Sequence, residues 1–170
     1  MITKSPEEYE AFKAFLLIGT NVGQRDKNLE LASSLIQQNE CEISIKSSIY
    51  ESAAWGVENQ NSFFNQVLKI ETHLGPWELL ETVLSIEKKM GRIRSEKWTE
   101  RIIDIDILYF DELIANSFDL VIPHPGIPDR KFTLVPLVEI ASDKLHPKLH
   151  LTQSQLLEQC KDDLWVKKLS

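Results

Sequence analysis

The chain has 170 residues, 42% of them hydrophobic and 26% charged, which suits one domain over residues 1–170 with its own apolar core. A net charge of −7 argues against nucleic acid or an anionic membrane as a general partner. No stretch reaches the roughly 18 apolar residues of a membrane span, and the acidic start MITKSPEEYEAFKAFLLIG is not a secretory signal. Cys41 and Cys160 have no metal-ligand partners at useful spacing and read as reduced thiols of a cytoplasmic protein.

In chain order, residues 14–18 (AFLLI) predict a buried strand ending at Gly19. The turn GTNVGQRD leads to a helix over about 27–38, with Asp26 as N-cap and Leu29, Ala32, Leu35 and Ile36 as its apolar stripe. Alternation over 42–52 predicts a strand with Ile43, Ile45 and Ile49 inward. The loop AAWGVENQN separates it from an extended run over 63–73. Pro76 opens a helix that runs to about Met90 and stops at Gly91. Its apolar face carries Leu79, Leu80, Val83, Leu84, Ile86 and Met90, with Glu87 among them. A polar loop over 91–100, the strand IIDIDILYF, a hairpin over 111–122 and the loop PHPGIPDRK follow. Helices near 133–141 and 152–160 complete the chain. The order β-α-β-β-α-β predicts an α+β, ferredoxin-like fold: an antiparallel sheet with helices on one face, plus C-terminal additions. Such a fold hosts many functions and names none.

The sharpest chemical feature is Asp104-Ile105-Asp106 in an apolar strand. Strand side chains alternate, so the carboxylates share one face about 6.5–7 Å apart at Cα, while Ile103, Ile105 and Ile107 fill the other. Two such groups can ligate Mg²⁺, with phosphate oxygens and water completing its shell, or can be the acidic outer face of a half-exposed strand. Lys88, Lys89, Arg92, Arg94, Lys97 and Arg101 face only Glu96 and Glu100, a basic stretch that delivers Arg101 to the start of this strand. Carboxylates beside guanidinium groups are the minimum apparatus for a metal–triphosphate. Glu87 needs a partner on its core-facing side, whether structural or a ligand. His124 and Arg130 sit in a Pro-stiffened loop suited to an anion. Trp55, Phe63, Phe64 and Phe132, at loop–strand junctions, could pack in the core or stack on a flat heterocycle. Phosphate-loop, dinucleotide-fold, protein-kinase and serine-hydrolase motifs are all absent. A kinase, a nucleotidyltransferase and a silent nucleotide-binding module all remain compatible with these residues alone.

Together, FLLIGTNVGQR, SSIYES, FFNQV, IEKKMGRIR, KWTERIIDIDILYF and IPHPGIPDRKFTLVPLVEIA resemble the 6-hydroxymethyl-7,8-dihydropterin pyrophosphokinase family over about 15–141. The resemblance implies a transferase of folate biosynthesis that moves pyrophosphate from Mg-ATP to a reduced hydroxymethylpterin and releases AMP. It implies that Asp104 and Asp106 bind two Mg²⁺ ions between ATP and the pterin hydroxyl, with Asp106 also a candidate base. Arg92 and Arg101 would stabilise the transferring group, and Arg94 and Trp98 would belong to a closing loop over the ATP. Glu87, Ile107, His124 and Arg130 would line the ATP site. Phe63 and Phe132 would sandwich the pterin, and Asn65 with groups around Ser52, Ala53 and Trp55 would read its polar edge. Neighbouring folate enzymes are the implied partners. The sequence departs from the family at Phe63 (often Tyr), Ser52-Ala53-Ala54 (often Thr-Pro-Pro), Thr99-Glu100 (commonly Gly-Pro) and Pro125 (aromatic in some members). None of these removes a charged group the chemistry needs.

Overall fold

β1 (Phe12–Thr20) is apolar at successive positions because the sheet it belongs to is covered on both faces. In this computed structural model, which describes residues 10–56, 59–93 and 100–169, β1 is followed by α1 (Arg25–Gln37), β2 (Cys41–Lys46), β3 (Tyr50–Ser52) and β4 (Phe63–Thr72). Then come α2 (Pro76–Lys89), β5 (Asp104–Phe110), the short pair β6 (Ala115–Asn116) and β7 (Val121–Ile122), α3 (Lys131–Ala141), α4 (Gln153–Gln159) and β8 (Val166–Lys168). The six-stranded sheet runs β5-β1-β4-β3-β8, with β2 also on β4, and every pairing within it is antiparallel. This is the expected ferredoxin-like α+β arrangement.

Ala14, Leu16 and Ile18 pack with Leu29, Ala32 and Ile36 of α1 and with Leu79, Val83 and Ile86 of α2. Phe15 and Leu17 face the other way, onto Leu134 and Leu137 of α3 and Leu156 of α4. The C-terminal additions thus form a second helical layer, on the face that α1 and α2 leave bare. A register shift between Phe15 and Leu16 leaves Leu108 as the extra residue in β5. Ile105, Ile107 and Phe110 consequently join the α1/α2 core, and Tyr109 joins the α3/α4 core.

Several boundaries differ from the sequence expectation, each for a local reason. α1 begins at Arg25 with Gln24 in the cap position, so Asp26 lies in the first turn, where its charge suits the helix dipole, and is not the N-cap. The run over 42–52 breaks at Ser47, whose N–H donates to Val67 O (2.9 Å) while its Oγ accepts from Val67 N (2.9 Å). The shift in register between Ile43 and Ile45 turns Ile45 out to 40% exposure, so only Ile43 and Ile49 pack inward. Leu84 lies at the border of the α2 stripe, 37% exposed. α3 starts earlier than its periodicity suggests because Asp162 Oδ2 accepts from Lys131 N (2.9 Å), satisfying an N-terminal donor from far along the chain. Among the described residues no helix is long and apolar enough to cross a membrane.

Candidate active site

Gly19 pairs with Asp104 on one side and Asn65 on the other, so these three residues form a row across β5, β1 and β4. Asp106, Leu17 and Val67 form the next row on the same face. With strands spaced about 4.8 Å, Gly19 leaves a bare floor roughly 10 Å wide between the carboxylate and the carboxamide. A Cβ at Gly19 would lie 2.8 Å from Asn65 Oδ1. The cavity above this floor has a volume of ≈ 320 Å³ and is lined by Leu17, Gly19, Ser52, Ala53, Trp55, Gln60, Phe63, Asn65, Arg101, Asp104, Asp106, Arg130 and Phe132.

One end of the cavity is electrostatic. Asp104 accepts from Arg92 Nη1 at one oxygen and from Arg101 Nη1 at the other. Arg92 Nη1 also donates to Glu87 Oε1 (2.5 Å), and the same oxygen accepts from Ile105 N (2.8 Å). Glu87, only 1% exposed on the core side of α2, therefore ties α2 and β5 to Arg92. Burial alone would raise the Asp104 carboxyl, but the two guanidinium groups outweigh it and hold the group below the ordinary carboxylate range. Asp106 makes no ion pair among the described residues. Burial, and then the charge of Asp104, push it up to about 7, with Arg130 opposing.

The other end suits a flat polar ring. Asn65 Nδ2 donates to Ser52 Oγ (2.9 Å), and both side chains are buried. Ser52 stands opposite Phe63 in the β3–β4 register. The Arg130 guanidinium lies 4.8 Å from the Trp55 ring centroid and 6.0 Å from that of Phe132. Arg130 packs directly on Gly126, where a Cβ would come within 2.7 Å of its Nε. His124 Nδ1 accepts from Gly126 N (3.0 Å), which leaves the ring proton on Nε2. Burial, reinforced by Arg130, lowers this histidine to about 4, so it is neutral near pH 7. The C-terminal segment also braces this end, since Ala53 N donates to Trp165 O (3.3 Å) beside the β3–β8 pairing.

The fold thus brings Ser52, Ala53, Trp55, Phe63, Asn65, Arg101, Asp104, Asp106, Arg130 and Phe132 around one cavity. Glu87 and Arg92 stand behind Asp104, and His124 lies in the loop that leads to Arg130. Ile107 differs from expectation: the residue is only 6% exposed and packs within the α1/α2 core, so its side chain does not line the cavity. Alternation along β5 sends it away from the face that carries Asp104 and Asp106. Arg94 and Trp98 lie outside the described residues. Sequence reasoning missed Leu17, Gly19 and Gln60. A glycine closing an apolar strand was a signal for Gly19, but its position between Asp104 and Asn65 emerges only from the strand register.

The donor set fits a hard divalent cation. Asp104 and Asp106 occupy same-face positions on a rigid strand, and the raised Asp106 carboxyl marks a place where a cation would be welcome. No cluster of three or more His, Cys, Asp or Glu suited to a metal exists among the described residues. Protein ligation is therefore sparse, as suits Mg²⁺ bound together with phosphate oxygens and water.

A family model described as 7,8-dihydro-6-hydroxymethylpterin-pyrophosphokinase (HPPK) matches residues 15–142. The chain is 41% identical over 133 residues to 2-amino-4-hydroxy-6-hydroxymethyldihydropteridine pyrophosphokinase of Aquifex aeolicus, covering 78% of this chain and 82% of the relative. It is 36% identical over 155 residues to the protein of the same name in Haemophilus influenzae, covering 91% and 96%. It is 39% identical over 142 residues to the folic acid synthesis protein FOL1 of Dictyostelium discoideum, matching 84% of this chain but only 22% of that longer protein. Among solved structures, Plasmodium falciparum HPPK-DHPS superimposes with a TM-score of 0.73 at 17% identity, over 90% of this chain and 44% of that one, a likeness of fold. With the family model spanning most of its length, the chain belongs to the 7,8-dihydro-6-hydroxymethylpterin-pyrophosphokinase family.

Proposed function

We propose that this chain, acting as one cytoplasmic domain, transfers the pyrophosphoryl group of Mg-ATP to the hydroxymethyl oxygen of 6-hydroxymethyl-7,8-dihydropterin and releases AMP. The observation that carries the reading is the single cavity with Asp104, Asp106 and Arg101 at one end and Ser52, Asn65, Phe63 and Phe132 at the other. The pterin ring lies between Phe63 and Phe132, and Asn65, Ser52 and backbone groups around Ala53 and Trp55 read its polar edge. That pose aims the hydroxymethyl group along the bare floor at Gly19, toward the carboxylates. ATP lies beside the carboxylates, with Arg92 and Arg101 on one flank and Arg130 and neutral His124, whose Nε2–H is a donor suited to a phosphate or ribose oxygen, reaching it from the ring-binding end; Glu87 and Ile107 support this site from below.

Two Mg²⁺ ions held by Asp104 and Asp106 would offset the triphosphate charge and orient the phosphates when bound. The hydroxymethyl oxygen attacks the β-phosphorus in line, forming a new O–P bond as the bond to the oxygen bridging the α-phosphate breaks. AMP leaves with that electron pair, and the hydroxyl proton passes to Asp106 or to solvent. Arg92 and Arg101 each spend one Nη on Asp104 and keep further N–H groups for the transferring phosphoryl oxygens. Arg94 and Trp98 would serve ATP binding, as the family resemblance implies. Most of the rate comes from positioning and charge neutralisation. The HPPK-DHPS architecture of the structural relative supports a neighbouring folate enzyme as a physical partner.

The test is incubation of the protein with ATP, Mg²⁺ and the reduced pterin, followed by chromatography of the nucleotide. Pterin-dependent AMP that disappears with chelator is the expected result. ADP, free pyrophosphate, or ATP binding without turnover would overturn the reading.

A further inference from the structure

Asn21, immediately after β1 and 2% exposed, joins two separate segments of the cavity wall. Its N–H donates to Arg101 O (3.1 Å) and its Oδ1 accepts from Arg101 N (2.7 Å), a two-point clamp on the backbone of the residue that grips Asp104. Its Nδ2 donates to Asn61 O (3.4 Å), between Gln60 and Phe63, which both line the cavity. Asn61 Nδ2 in turn donates to Glu100 Oε1 (2.9 Å), closing a ring of contacts between the two segments. The same short stretch of β1 supplies Thr20, whose Oγ1 donates to Arg101 O (3.4 Å).

A carboxamide offers an acceptor and a donor on one planar group, so Asn can make both outward contacts while Ala makes neither and Asp keeps only the first. We propose that Asn21 is a positioning residue that sets Arg101 in register with the loop that bears Gln60 and leads into Phe63 of β4, so that the ring-binding and phosphate-binding ends of the cavity are placed together. The inference rests on the reading of those ends under Proposed function. A purely structural asparagine would satisfy the same backbone groups, so the distinction lies in which kinetic constant moves.

The experiment measures steady-state AMP formation and thermal melting for the full chain and for Asn21→Ala, Asn21→Asp and Asn61→Ala. Asn21→Ala lowers kcat about ten- to hundredfold per folded enzyme, as misplacement of a phosphate-contacting group does. Asn21→Asp recovers most of that kcat, because an oxygen still accepts from Arg101 N, but raises the pterin KM because a carboxylate now faces Asn61 O. Asn61→Ala, an exposed side chain, raises the pterin KM severalfold with melting unchanged. Equal effects of the Ala and Asp changes at position 21, or kcat that follows melting alone, overturn the proposal. If Asn21→Ala does not fold, an unchanged pterin KM in both other variants overturns it. Absence of AMP from the unaltered chain overturns the functional reading instead, before any variant is compared.

Discussion

β5 has two faces built to different rules. Toward α1 and α2 it presents Ile105 and Ile107, at 4% and 6% exposure, in a continuous apolar core. Toward α3 and α4 it presents Asp104 and Asp106, and α3 begins beside this end of the sheet without roofing it. On the first face burial is rewarded by packing; on the second it is a cost, offset at Asp104 by Arg92 and Arg101 and visible at Asp106 as a carboxyl pushed up to about 7. Stability and chemistry are thus segregated onto alternate residues of one strand, and the rigidity of the first holds the geometry of the second.

The sharpest way to break this comparison is to change neighbours on opposite faces. Asp106→Asn should lower pterin-dependent AMP formation by about a thousandfold or more, the several kcal/mol that metal coordination contributes to such a step. Its melting temperature, measured without substrates, should hold or rise, since the substitution removes a carboxylate that burial disfavours. Near-normal turnover in Asp106→Asn would remove the metal assignment. Ile105→Ala, one residue earlier, should do the opposite. It leaves a cavity between β5 and the α1/α2 layer and should destabilise the fold by about 2–5 kcal/mol in denaturant titration, while kcat of the folded enzyme stays within about threefold. Parallel losses of stability and turnover in both variants would refute the division of labour.

The α1/α2 face was the more legible of the two in the sequence. The 3.6-residue stripe Leu29-Ala32-Ile36 and the apolar run of β1 state their own packing, and Pro76 and Gly91 bracket α2. On the other face the carboxylates and their arginines could be read because alternation and spacing are local. The floor between them could not: Gly19 matters only because β1 pairs with β4 and β5 in one particular register. Nor could β8 or the support of α3 by Asp162, both contributed by a C-terminal stretch whose own pattern says little about function. Pairing of β3 with β8 across more than a hundred residues and support of a helix start from 31 residues away are properties of the tertiary structure, and sequence periodicity does not encode them.

Gly19→Ala tests that long-range element with a smaller change. The new Cβ would meet Asn65 Oδ1 at 2.8 Å, which obliges Asn65 to turn away from Ser52. The expected result is a pterin KM raised about tenfold, the worth of one positioned hydrogen bond, with ATP affinity nearly unchanged. Because both act through the same carboxamide, Gly19→Ala combined with Asn65→Ala should be no worse than Asn65→Ala alone. Additive losses would show that Gly19 serves the cavity in some other way.

The smallest effect separates the two faces by pH. His124 titrates at about 4 in the folded chain, against about 6.5 in an unfolded one, because burial and Arg130 disfavour its charged form. Between these values the unfolded chain binds the extra proton, so this histidine's contribution to stability is complete above pH 6.5 and is lost as pH falls toward 4. The loss is at most about 1.4 kcal/mol for each pH unit. Melting curves of the unaltered chain and of His124→Gln, compared from pH 7.5 to 4.5, should converge as the pH drops, because Gln carries no proton to bind. Curves that stay parallel would mean the imidazole is protonated in the folded state, and its Gly126 N–H contact, which needs an unprotonated Nδ1, would then have to be given up.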